Sequence, residues 1–579
     1  MAKSILKIGN AEDARKYFMQ SEQYHGFELP EYFVFDKVLD FVAQKVGDKP
    51  MDECIASDDV AITDINFEML TNKDGKYAVR PLMLANPYLY WFLVRELTTE
   101  NGWKATLDCF DKYSVPHITS CALPRVKDAN EKEPFHHSTA ILNWWNTMEQ
   151  RSLELSLEYR YMFITNITNC YGSINPDSID WAMARKSTKY ATDENHEIAV
   201  NVKRYLRKLQ GGRNIGIPQG SAIFDFIGEF VLGYSDLLLH ERLMEEGIDG
   251  YEIIRYRDDY RIFCNDKDTL IKISYILQLV LESLNLRLNS SKTKISENLV
   301  TDSIKSDKLW YIKNTPIFNK KGVDFDGIQK HLLFILMFGR EFPNGGQLKT
   351  LLSDLNKRII KKLKPRKVKM QTVAILNEND VTDLSDNPQE SEIEIPGKIV
   401  ENMTAIAAVG TQIAVENVSV VHYVLRVISR MVDSMEDESA KWKIIGKVAA
   451  KLTERPNSDY DKIWLQNITY QRDKKAGVNP YPGVSLCRLV MREDATIWNN
   501  SWLKPELTKG FPVASICDTA ILKKITPVIT FRETRAYYDQ LSSASYAACG
   551  GQNFQRNALG SAVLQTKGIS SYGKRMIML

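Results

Sequence analysis

The sequence predicts an α+β protein in which a small sheet with its helices is followed by a long helical region. Runs of aromatic and β-branched residues at 161–167 and 251–264 have the composition of strands. Beyond about residue 325, the pattern changes to helices joined by polar loops. Because 579 residues are too many for one hydrophobic core, we expect more than one domain.

The composition argues against several classes of protein. Hydrophobic residues make up 44% and charged residues 26% of the chain, as in an ordinary soluble protein. The net charge of +2 means that a nucleic-acid partner would bind a local basic surface. No apolar run is long enough to span a bilayer, and the N-terminus lacks a signal-peptide core. The eight cysteines form no CxxC pair, which argues against a disulfide framework or zinc site and favours a cytoplasmic location.

The first part of the chain mixes helix and strand patterns. Apolar faces predict helices within 11–47, and a strand pattern before Asn86-Pro87 gives way to an aromatic-rich helix after it. Residues 105–135 contain three prolines, so we predict strands and loops there. A further helix is predicted over 138–157.

The middle of the chain alternates short strands with helices. The predicted elements, in order, are a buried strand at 161–167, helices at 177–186 and 193–208, a glycine-rich connector at 211–221, a long apolar helix from Ala222, a hairpin at 251–264, an amphipathic helix, and a short strand with a turn.

The C-terminal part is predicted to be helical. Helices are expected within 327–363, 400–453 and 455–540, and the acidic stretch 377–398 is expected to be a mobile loop. A tail rich in Ser, Ala and Gly predicts poor order. We therefore divide the chain into three parts, 1–325, 326–545 and 546–579.

The predicted hairpin holds two adjacent carboxylates, Asp258 and Asp259, between its β-prone arms. A hairpin tip would push both out of the sheet at one point. Like charges held close raise one another's pKa, and a bound divalent cation would remove that cost. The alternative is a solvated turn, because aspartate is common in turns.

Paired carboxylates at strand ends suit nucleotidyl transfer. That reaction uses two divalent ions held a few ångströms apart. Mg²⁺ prefers hard oxygen ligands, so carboxylates from two neighbouring strands are its natural partners. A second strand ending in an aspartate and a tight turn should therefore lie beside the hairpin.

Four short motifs follow one another along the chain. They are ITNCYGSI at Ile167–Ile174, IPQGS at Ile217–Ser221, YRDD at Tyr256–Asp259 and LNSSKT at Leu288–Thr293. They resemble motifs A, B, C and D of reverse transcriptases, and the chain is most similar to the bacterial defence-associated or abortive-infection group. The resemblance covers roughly residues 15 to 320, and the ordered set is far more specific than any one motif.

The resemblance implies a right-hand polymerase with fingers, an antiparallel palm sheet and an α-helical C-terminal region. Its activity would be the addition of dNTPs, RNA-templated or untemplated, in anti-phage defence, with two Mg²⁺ ions or Mn²⁺ in their place. The implied partners are dNTPs, product DNA, and an RNA template or non-coding RNA. A homo-oligomer and a second defence protein are further candidates, and no membrane is implied.

One position departs from the family pattern. Reverse transcriptases carry an aspartate in motif A where this chain has Asn166. An asparagine offers one neutral carbonyl oxygen in place of two charged oxygens, so we expect polymerisation to be severely impaired. Asn166 is either an engineered substitution that traps a complex before chemistry or the native residue of a non-catalytic scaffold. The intact remaining motifs favour the first.

The resemblance also assigns the metal site. Asp258 is expected to be the shared ligand and Asp259 a supporting carboxylate. Asn166 and the adjacent Ile167 would contribute from motif A, and the palm sheet would carry Asn166 and Asp258 on adjacent strands.

Motifs A and B supply the expected nucleotide contacts. Tyr171 matches the residue whose ring excludes a 2′-hydroxyl, and its alternative is a core tyrosine. Gln219 and Gly220 match the loop whose backbone approaches the incoming nucleotide and template. The alternative for these two is a simple turn at the start of a helix.

Three basic residues are assigned to phosphate or primer. Lys292 matches the motif D lysine that steadies or protonates the leaving pyrophosphate, and its alternative is a solvated surface lysine. Arg80 in the fingers would hold the triphosphate. Arg257 fills the variable position of YxDD beside a primer terminus, with a phosphate contact and a base contact both left open.

Features outside the motifs remain hypotheses. Basic runs at 203–213 and 357–369 suit a nucleic-acid backbone or a solvated helix face, and nucleic acid is favoured for the second. Tail tyrosines are candidate priming hydroxyls: Tyr537, Tyr538, Tyr546 and Tyr572. Competing functions are a non-catalytic nucleic-acid-binding or assembly subunit, and a mobile-element (intron or retron) reverse transcriptase.

Overall fold

The computed structural model describes most of the first 524 residues. The described ranges are 3–4, 10–56, 64–72, 79–120, 125–126, 147–183, 193–314, 327–364, 366–371, 390–395, 399 and 401–524. Within them the protein has the predicted mixture of helices and strands. None of the helices in these ranges combines the length and hydropathy needed to cross a bilayer.

The strands are short. They are β1 (Lys3–Ser4), β2 (Phe67–Asn72), β3 (Val79–Leu84), β4 (Ile118–Ser120), β5 (Arg125–Val126), β6 (Tyr161–Asn166), β7 (Tyr251–Tyr256), β8 (Asp259–Cys264), β9 (Lys294–Ser296), β10 (Arg366–Gln371) and β11 (Glu390–Ile395).

Helices dominate both halves of the chain. The first half contains α1 (Ala11–Phe18), α2 (Ser21–Tyr24), α3 (Asp36–Val46), α4 (Met51–Cys54), α5 (Pro87–Leu97), α6 (Glu100–Tyr113), α7 (147–155), α8 (Cys170–Ser173), α9 (Asp177–Met183), α10 (Asp193–Leu209), α11 (Ala222–Glu245), α12 (Lys267–Ser283), α13 (Leu299–Ser303) and α14 (Ser306–Asn314). The second contains α15 (Ile328–Glu341), α16 (Gly346–Leu363), α17 (Met403–Glu416), α18 (Val421–Asp433), α19 (Glu438–Thr453), α20 (Asp459–Ala476), α21 (Ser485–Val490), α22 (Pro505–Thr508) and α23 (Thr519–Lys524).

A five-stranded sheet, here called the central sheet, has the strand order β4-β7-β8-β6-β9. The three pairs among β6, β7, β8 and β9 are antiparallel, as predicted. The edge strand β4 joins β7 in parallel, which no sequence pattern indicated. The strands contribute buried residues to both faces of the sheet, because Ile253 and Ile262 pack into the main core while Ile254 and Phe263 pack into a smaller one.

The long helix α11 lies between the central sheet and the N-terminal helices. It contacts α6, α9, α12 and β4. Its side chains from Ala222 to Asp236 are all buried, which explains why it is apolar around its circumference rather than along one stripe.

The predicted start of α5 is confirmed. Pro87 occupies its first turn, where a missing N–H is tolerated. The side chain of Asn86 accepts a hydrogen bond from the Tyr88 amide at 3.1 Å and so caps the helix. This explains why the strand pattern stops at Asn86-Pro87.

Helix α6 corrects the prediction of strands and loops over 105–135. The segment up to Tyr113 is helical, with Thr99 capping the Gly102 amide at 2.9 Å. All three prolines lie beyond the end of the helix, and Trp103 and Phe110 supply its buried face.

Strand β11 corrects the prediction of a loop over 377–398. Residues 390–395 alternate glutamate with isoleucine or serine and pair antiparallel with β10. The register sets Lys367 opposite Glu394 and Lys369 opposite Glu392, so the end of the second basic run lies in this hairpin. Residues 377–389 and the tail 546–579 fall outside the described residues.

Two large hydrophobic cores divide the described chain. The first combines the N-terminal helices, α11 and α12 with residues 484–522, and the second is built from α15 to α20. The predicted part 326–545 is therefore not one packing unit. Its last segment returns to the N-terminal region, where Tyr88 donates its hydroxyl to the Leu507 carbonyl at 2.8 Å.

Helix α20 joins the two cores. Ile463 belongs to the first core and the adjacent Trp464 to the second. A helix buried on two sides carries no single apolar stripe, so its pattern gave no sign of this role.

Candidate active site

The candidate site lies where β6 ends beside the β7–β8 hairpin. Asn166 pairs with Asp259 across β6 and β8. The Ile167 amide donates to the Asp258 carbonyl at 2.9 Å, so the Asn166–Asp259 pair is the non-hydrogen-bonded kind. Cα atoms in such a pair are about 4.5 Å apart, with the side chains close together on one face. The structure therefore brings Asn166, Ile167, Asp258 and Asp259 to one point.

The strand partner of Asn166 corrects one expectation. We predicted that Asn166 and Asp258 would lie on adjacent strands, but the residue opposite Asn166 is Asp259. Asp258 occupies the turn, because β7 ends at Tyr256 and β8 begins at Asp259.

The turn itself has an unusual backbone. Arg257 has φ of +51°, the left-handed region that glycine or asparagine usually fills in a two-residue hairpin turn. For other residues this conformation costs roughly 1–2 kcal/mol. The buried Arg255 supports the turn by donating to the Arg257 carbonyl at 3.2 Å.

Asp258 and Asp259 are both half-buried. Burial, and then the charge of Asp258, raises the pKa of Asp259 to about 7. Lys292, Lys305 and Arg261 act in the opposite direction. A carboxyl group with this pKa binds a proton or a cation readily near neutral pH, which agrees with the expected repulsion between the two aspartates.

Asn166 contributes a buried side-chain oxygen beside the two aspartates. The residue is 7% exposed, and its Oδ1 has no hydrogen-bond partner in the described part of the chain. An unsatisfied buried carbonyl costs about 1–3 kcal/mol unless a ligand or water reaches it. Such an atom at the end of β6 is therefore suited to accept a ligand.

The donor set fits one Mg²⁺ better than two. Asp258, Asp259 and Asn166 offer the hard oxygen atoms that Mg²⁺ prefers. They carry two negative charges at most, against four positive charges on two ions. The described residues contain no cluster of three His, Cys, Asp or Glu that could hold a metal. A second ion therefore lacks the carboxylate that an aspartate at position 166 would supply.

An ion network beneath the hairpin was missed by sequence reasoning. Arg255 is fully buried and donates from Nε to Asp236 at 2.8 Å and from Nη1 to Glu229 at 3.1 Å. Burial raises the pKa of Asp236 to about 6, against the charge of Arg255. The available signal was three acids on one face of an otherwise apolar helix, at 225, 229 and 236.

Tyr171 lies in α8, the short helix that follows β6. It is 7% exposed, and its hydroxyl donates to Asp225 Oδ1 at 2.8 Å. A Cβ placed on Gly228 would lie 3.3 Å from the Tyr171 ring, so the ring packs directly on α11. Arg257 also reaches Asp225, with Nη2 2.5 Å from Oδ2. Its side chain is thus ion-paired within the protein.

The motif B loop packs against the turn after β6. The Ile217 amide donates to the Tyr171 carbonyl at 2.8 Å. Gly220 has φ of +114°, a conformation that side chains rarely adopt, and its carbonyl accepts a hydrogen bond from the Gly26 amide. Gln219 is exposed beside it.

The two predicted phosphate-binding residues are both exposed. Lys292 lies in a 3₁₀ turn next to β9, close enough for its charge to lower the pKa of Asp259. Arg80 lies on β3, opposite Thr71 of β2. The same strand approaches the motif B loop, because the Met83 carbonyl would lie 3.5 Å from a Cβ placed on Gly220.

Lys305 is a further residue of the candidate site that the sequence did not indicate. Its charge acts on Asp259, and burial lowers its own pKa despite the nearby Asp307 and Glu149. It follows α13, outside every motif, so only the folded chain reveals its position.

The first basic run serves mainly intramolecular contacts. Lys203 forms an ion pair with Asp177, and Arg204 forms one with Asp52. This favours the structural alternative for the run at 203–213.

The second basic run is more open. Lys361 on α16 and Lys364 just after it are exposed, although Lys357 and Lys362 are each within 4 Å of a carboxylate. The candidate priming tyrosines Tyr537, Tyr538, Tyr546 and Tyr572 lie outside the described residues.

The solved structures that are similar to this chain share little sequence with it. No family model matches it, and no curated protein matches it. Three similar solved structures are telomerases. A truncated apo telomerase from Candida tropicalis is 13% identical, with 46% of this chain and 56% of that chain covered and a TM-score of 0.27. The chain thus spans little more than half of that structure.

The other two telomerases are covered more fully. Apo telomerase from Candida tropicalis is 11% identical, with 80% and 76% covered and a TM-score of 0.30. Telomerase from Candida albicans in complex with a fragment of telomeric RNA is 9% identical, with 74% and 67% covered and a TM-score of 0.28.

Proposed function

We propose that the chain is a reverse transcriptase-type DNA polymerase with a right-hand fold, impaired by the asparagine at position 166. The observation that carries the proposal is the pairing of Asn166 with Asp259 at the ends of two adjacent strands. This pairing puts the motif A position beside both hairpin carboxylates, where two-metal chemistry requires a third carboxylate.

The proposed roles of the side chains follow from their positions. Asp258, Asp259 and the residue at 166 would hold Mg²⁺, or Mn²⁺ in its place, with Ile167 beside them. When bound, the ions would activate the attacking oxygen and neutralise charge on the triphosphate. Lys292 would protonate or steady the pyrophosphate leaving group.

The remaining assignments concern the nucleotide and the template. Tyr171 would lie under the sugar of a dNTP. Gln219 and Gly220 would contact the nucleotide and template, since glycine lets the backbone approach closely. Arg80 would contact the triphosphate from the β2–β3 hairpin. An RNA template or non-coding RNA and a cytoplasmic role in anti-phage defence complete the proposal.

A second candidate is a non-catalytic nucleic-acid-binding or assembly subunit on a polymerase fold. The observation that favours it is Asn166 itself, which removes a negative charge from the metal site while leaving the surrounding strands intact.

Restoring the carboxylate separates the two candidates. We expect Asn166→Asp to raise Mg²⁺-dependent dNTP incorporation by on the order of 100-fold, as for regaining one strong electrostatic contact in an active site. Incorporation is measured with and without a primed RNA template. The control is Asn166→Asp combined with Asp258→Asn, which should be inactive. No incorporation by the Asn166→Asp protein would instead support the non-catalytic subunit.

A further inference from the structure

The Asp225 carboxylate connects two residues of the candidate site that lie far apart in the sequence. Tyr171 donates its hydroxyl to Oδ1 at 2.8 Å. Arg257 donates from Nη2 to Oδ2 at 2.5 Å. The three residues come from α8, α11 and the hairpin turn, so one carboxylate of α11 joins motif A to motif C.

All three side chains are largely withdrawn from solvent. The side chains of Asp225 and Arg257 are 9% and 17% exposed, and Tyr171 is 7% exposed. A buried charge is stable only when it is paired, and removing one partner leaves the other uncompensated. The contacts to Asp225 therefore restrain both Tyr171 and Arg257 strongly.

The ring of Tyr171 is held from other sides as well. Gly228 leaves space for the ring, because a Cβ there would lie 3.3 Å from it. The backbone of Tyr171 accepts a hydrogen bond from Ile217 at 2.8 Å. The hydroxyl is bonded to Asp225. The ring, and not the hydroxyl, would therefore contact the sugar proposed to lie beside it.

The same carboxylate stabilises the turn. Arg257 adopts φ of +51°, a conformation that is disfavoured for a long side chain. The ion pair with Asp225 offsets that cost and holds the turn that contains Asp258. The position of the ring and the conformation of the metal-binding turn thus depend on one residue of α11.

We propose that Asp225 and Arg257 are positioning residues that fix Tyr171 and thereby set the preference for deoxyribonucleotides over ribonucleotides. The inference rests on the proposed function, in which Tyr171 lies beside the sugar. It differs from a purely structural role, because a structural role would lower activity toward both sugars equally.

The test measures sugar discrimination in the Asn166→Asp protein. The readout is the ratio of kcat/KM for a dNTP to that for the rNTP with the same base, on a primed RNA template. Asp225→Asn keeps an acceptor for Tyr171 but removes the charge that Arg257 needs. Tyr171→Phe keeps the ring but removes the tether. The control Asp52→Asn breaks the exposed ion pair with Arg204.

We expect Asp225→Asn and Tyr171→Phe each to lower the ratio by about tenfold, which corresponds to losing roughly 1.4 kcal/mol of discrimination. The control should leave the ratio unchanged. If Asp225→Asn does not fold, as judged by its unfolding curve, Tyr171→Phe alone decides the question, because it removes only one oxygen atom.

Different results would contradict this inference and the proposed function. A strong preference for dNTPs that both variants retain overturns this inference and leaves the proposed function standing. No incorporation of either nucleotide by the Asn166→Asp protein overturns the proposed function, and the inference with it.

Discussion

The two large cores of this protein bury charged side chains for different purposes. Around the central sheet, buried charges converge on the hairpin, where Arg255 pairs with Glu229 and Asp236. In the core of α15 to α20, buried charged side chains instead connect neighbouring elements, as in the Arg455–Asp461 ion pair at 2.6 Å. Buried charges thus surround the candidate site in the first region. In the second region they hold neighbouring elements together.

A junction between the regions shows the second use most clearly. Glu28 lies two residues after Gly26, which donates to Gly220 of the motif B loop. Its carboxylate pairs with His422 and with Lys349 of the helical core, and its carbonyl accepts from Tyr460 at 3.0 Å. The helical core is therefore attached directly beside the candidate site.

The largest effect is expected from breaking the network beneath the hairpin. Arg255→Met leaves Glu229 and Asp236 buried without their cation, which should lower the free energy of unfolding by about 4 kcal/mol. Urea denaturation measures it. Arg204→Met, at an exposed ion pair with Asp52, is the control and should change stability by less than about 1 kcal/mol. Equal effects would contradict the distinction between the buried and exposed pairs.

A slightly smaller effect is expected from the apolar part of the helical core. Leu355→Ala, at a fully buried position of α16, should destabilise the protein by about 3 kcal/mol through lost burial and a cavity. Sugar discrimination in the Asn166→Asp background should remain unchanged, because Leu355 packs in the second core and Tyr171 in the first. A changed ratio would show that the two regions are coupled more tightly than their cores suggest.

The contact between Glu28 and His422 predicts that the stability of the protein depends on pH. Burial lowers the pKa of His422 to about 4, against the charge of Glu28. Since the unfolded value is about 6.5, the unfolded state binds the proton more readily, and stability is lost as the pH falls from 6.5 towards 4. His422→Gln should remove about 1 kcal/mol of the stability loss between pH 7 and 5.5. Unfolding curves across this range measure it.

An exposed histidine provides the control for that experiment. The His196 side chain is 57% exposed beside Asp180. His196→Gln removes an exposed ring, so it should change the free energy of unfolding at pH 7 by less than about 1 kcal/mol. An identical slope for the wild-type and His422→Gln proteins would show that His422 is not the titrating group.

The smallest effect is expected at the two basic runs. Lys361→Ala on α16 should reduce the salt dependence of nucleic-acid binding by about one phosphate contact, a change of roughly 0.7 in the slope for a single strand. Lys203→Ala should leave the slope unchanged, because Lys203 already pairs with Asp177. Filter binding of a single-stranded oligonucleotide at several salt concentrations measures both. The reverse result would assign nucleic acid to the first run.

Local patterns in the sequence predicted the strands that form the site. The β-branched and aromatic residues of β6, β7 and β8 predicted that these segments are strands, and Asn86-Pro87 marked the start of α5. By contrast, the three prolines after Tyr113 favour loops over 105–135 and so mask α6, which ends before the first of them. The acidic composition of 390–395 likewise hid the alternation that forms β11.

Contacts distant in sequence could not be predicted. The motifs indicated which residues belong to the site, but the register that pairs Asn166 with Asp259 depends on how three strands assemble. The link from Tyr171 through Asp225 to Arg257 spans 86 positions and follows no spacing rule. The return of residues 484–522 to the N-terminal core was hidden for the same reason.

The central claim is that the end of β6 and the β7–β8 hairpin form a two-metal site that Asn166 leaves incomplete. It is tested most directly by the number of Mn²⁺ ions bound in the presence of a dNTP, measured by electron paramagnetic resonance. We expect one ion in the Asn166 protein, two in Asn166→Asp, and fewer again when Asp258→Asn is added. The same number of ions in all three proteins would contradict the claim.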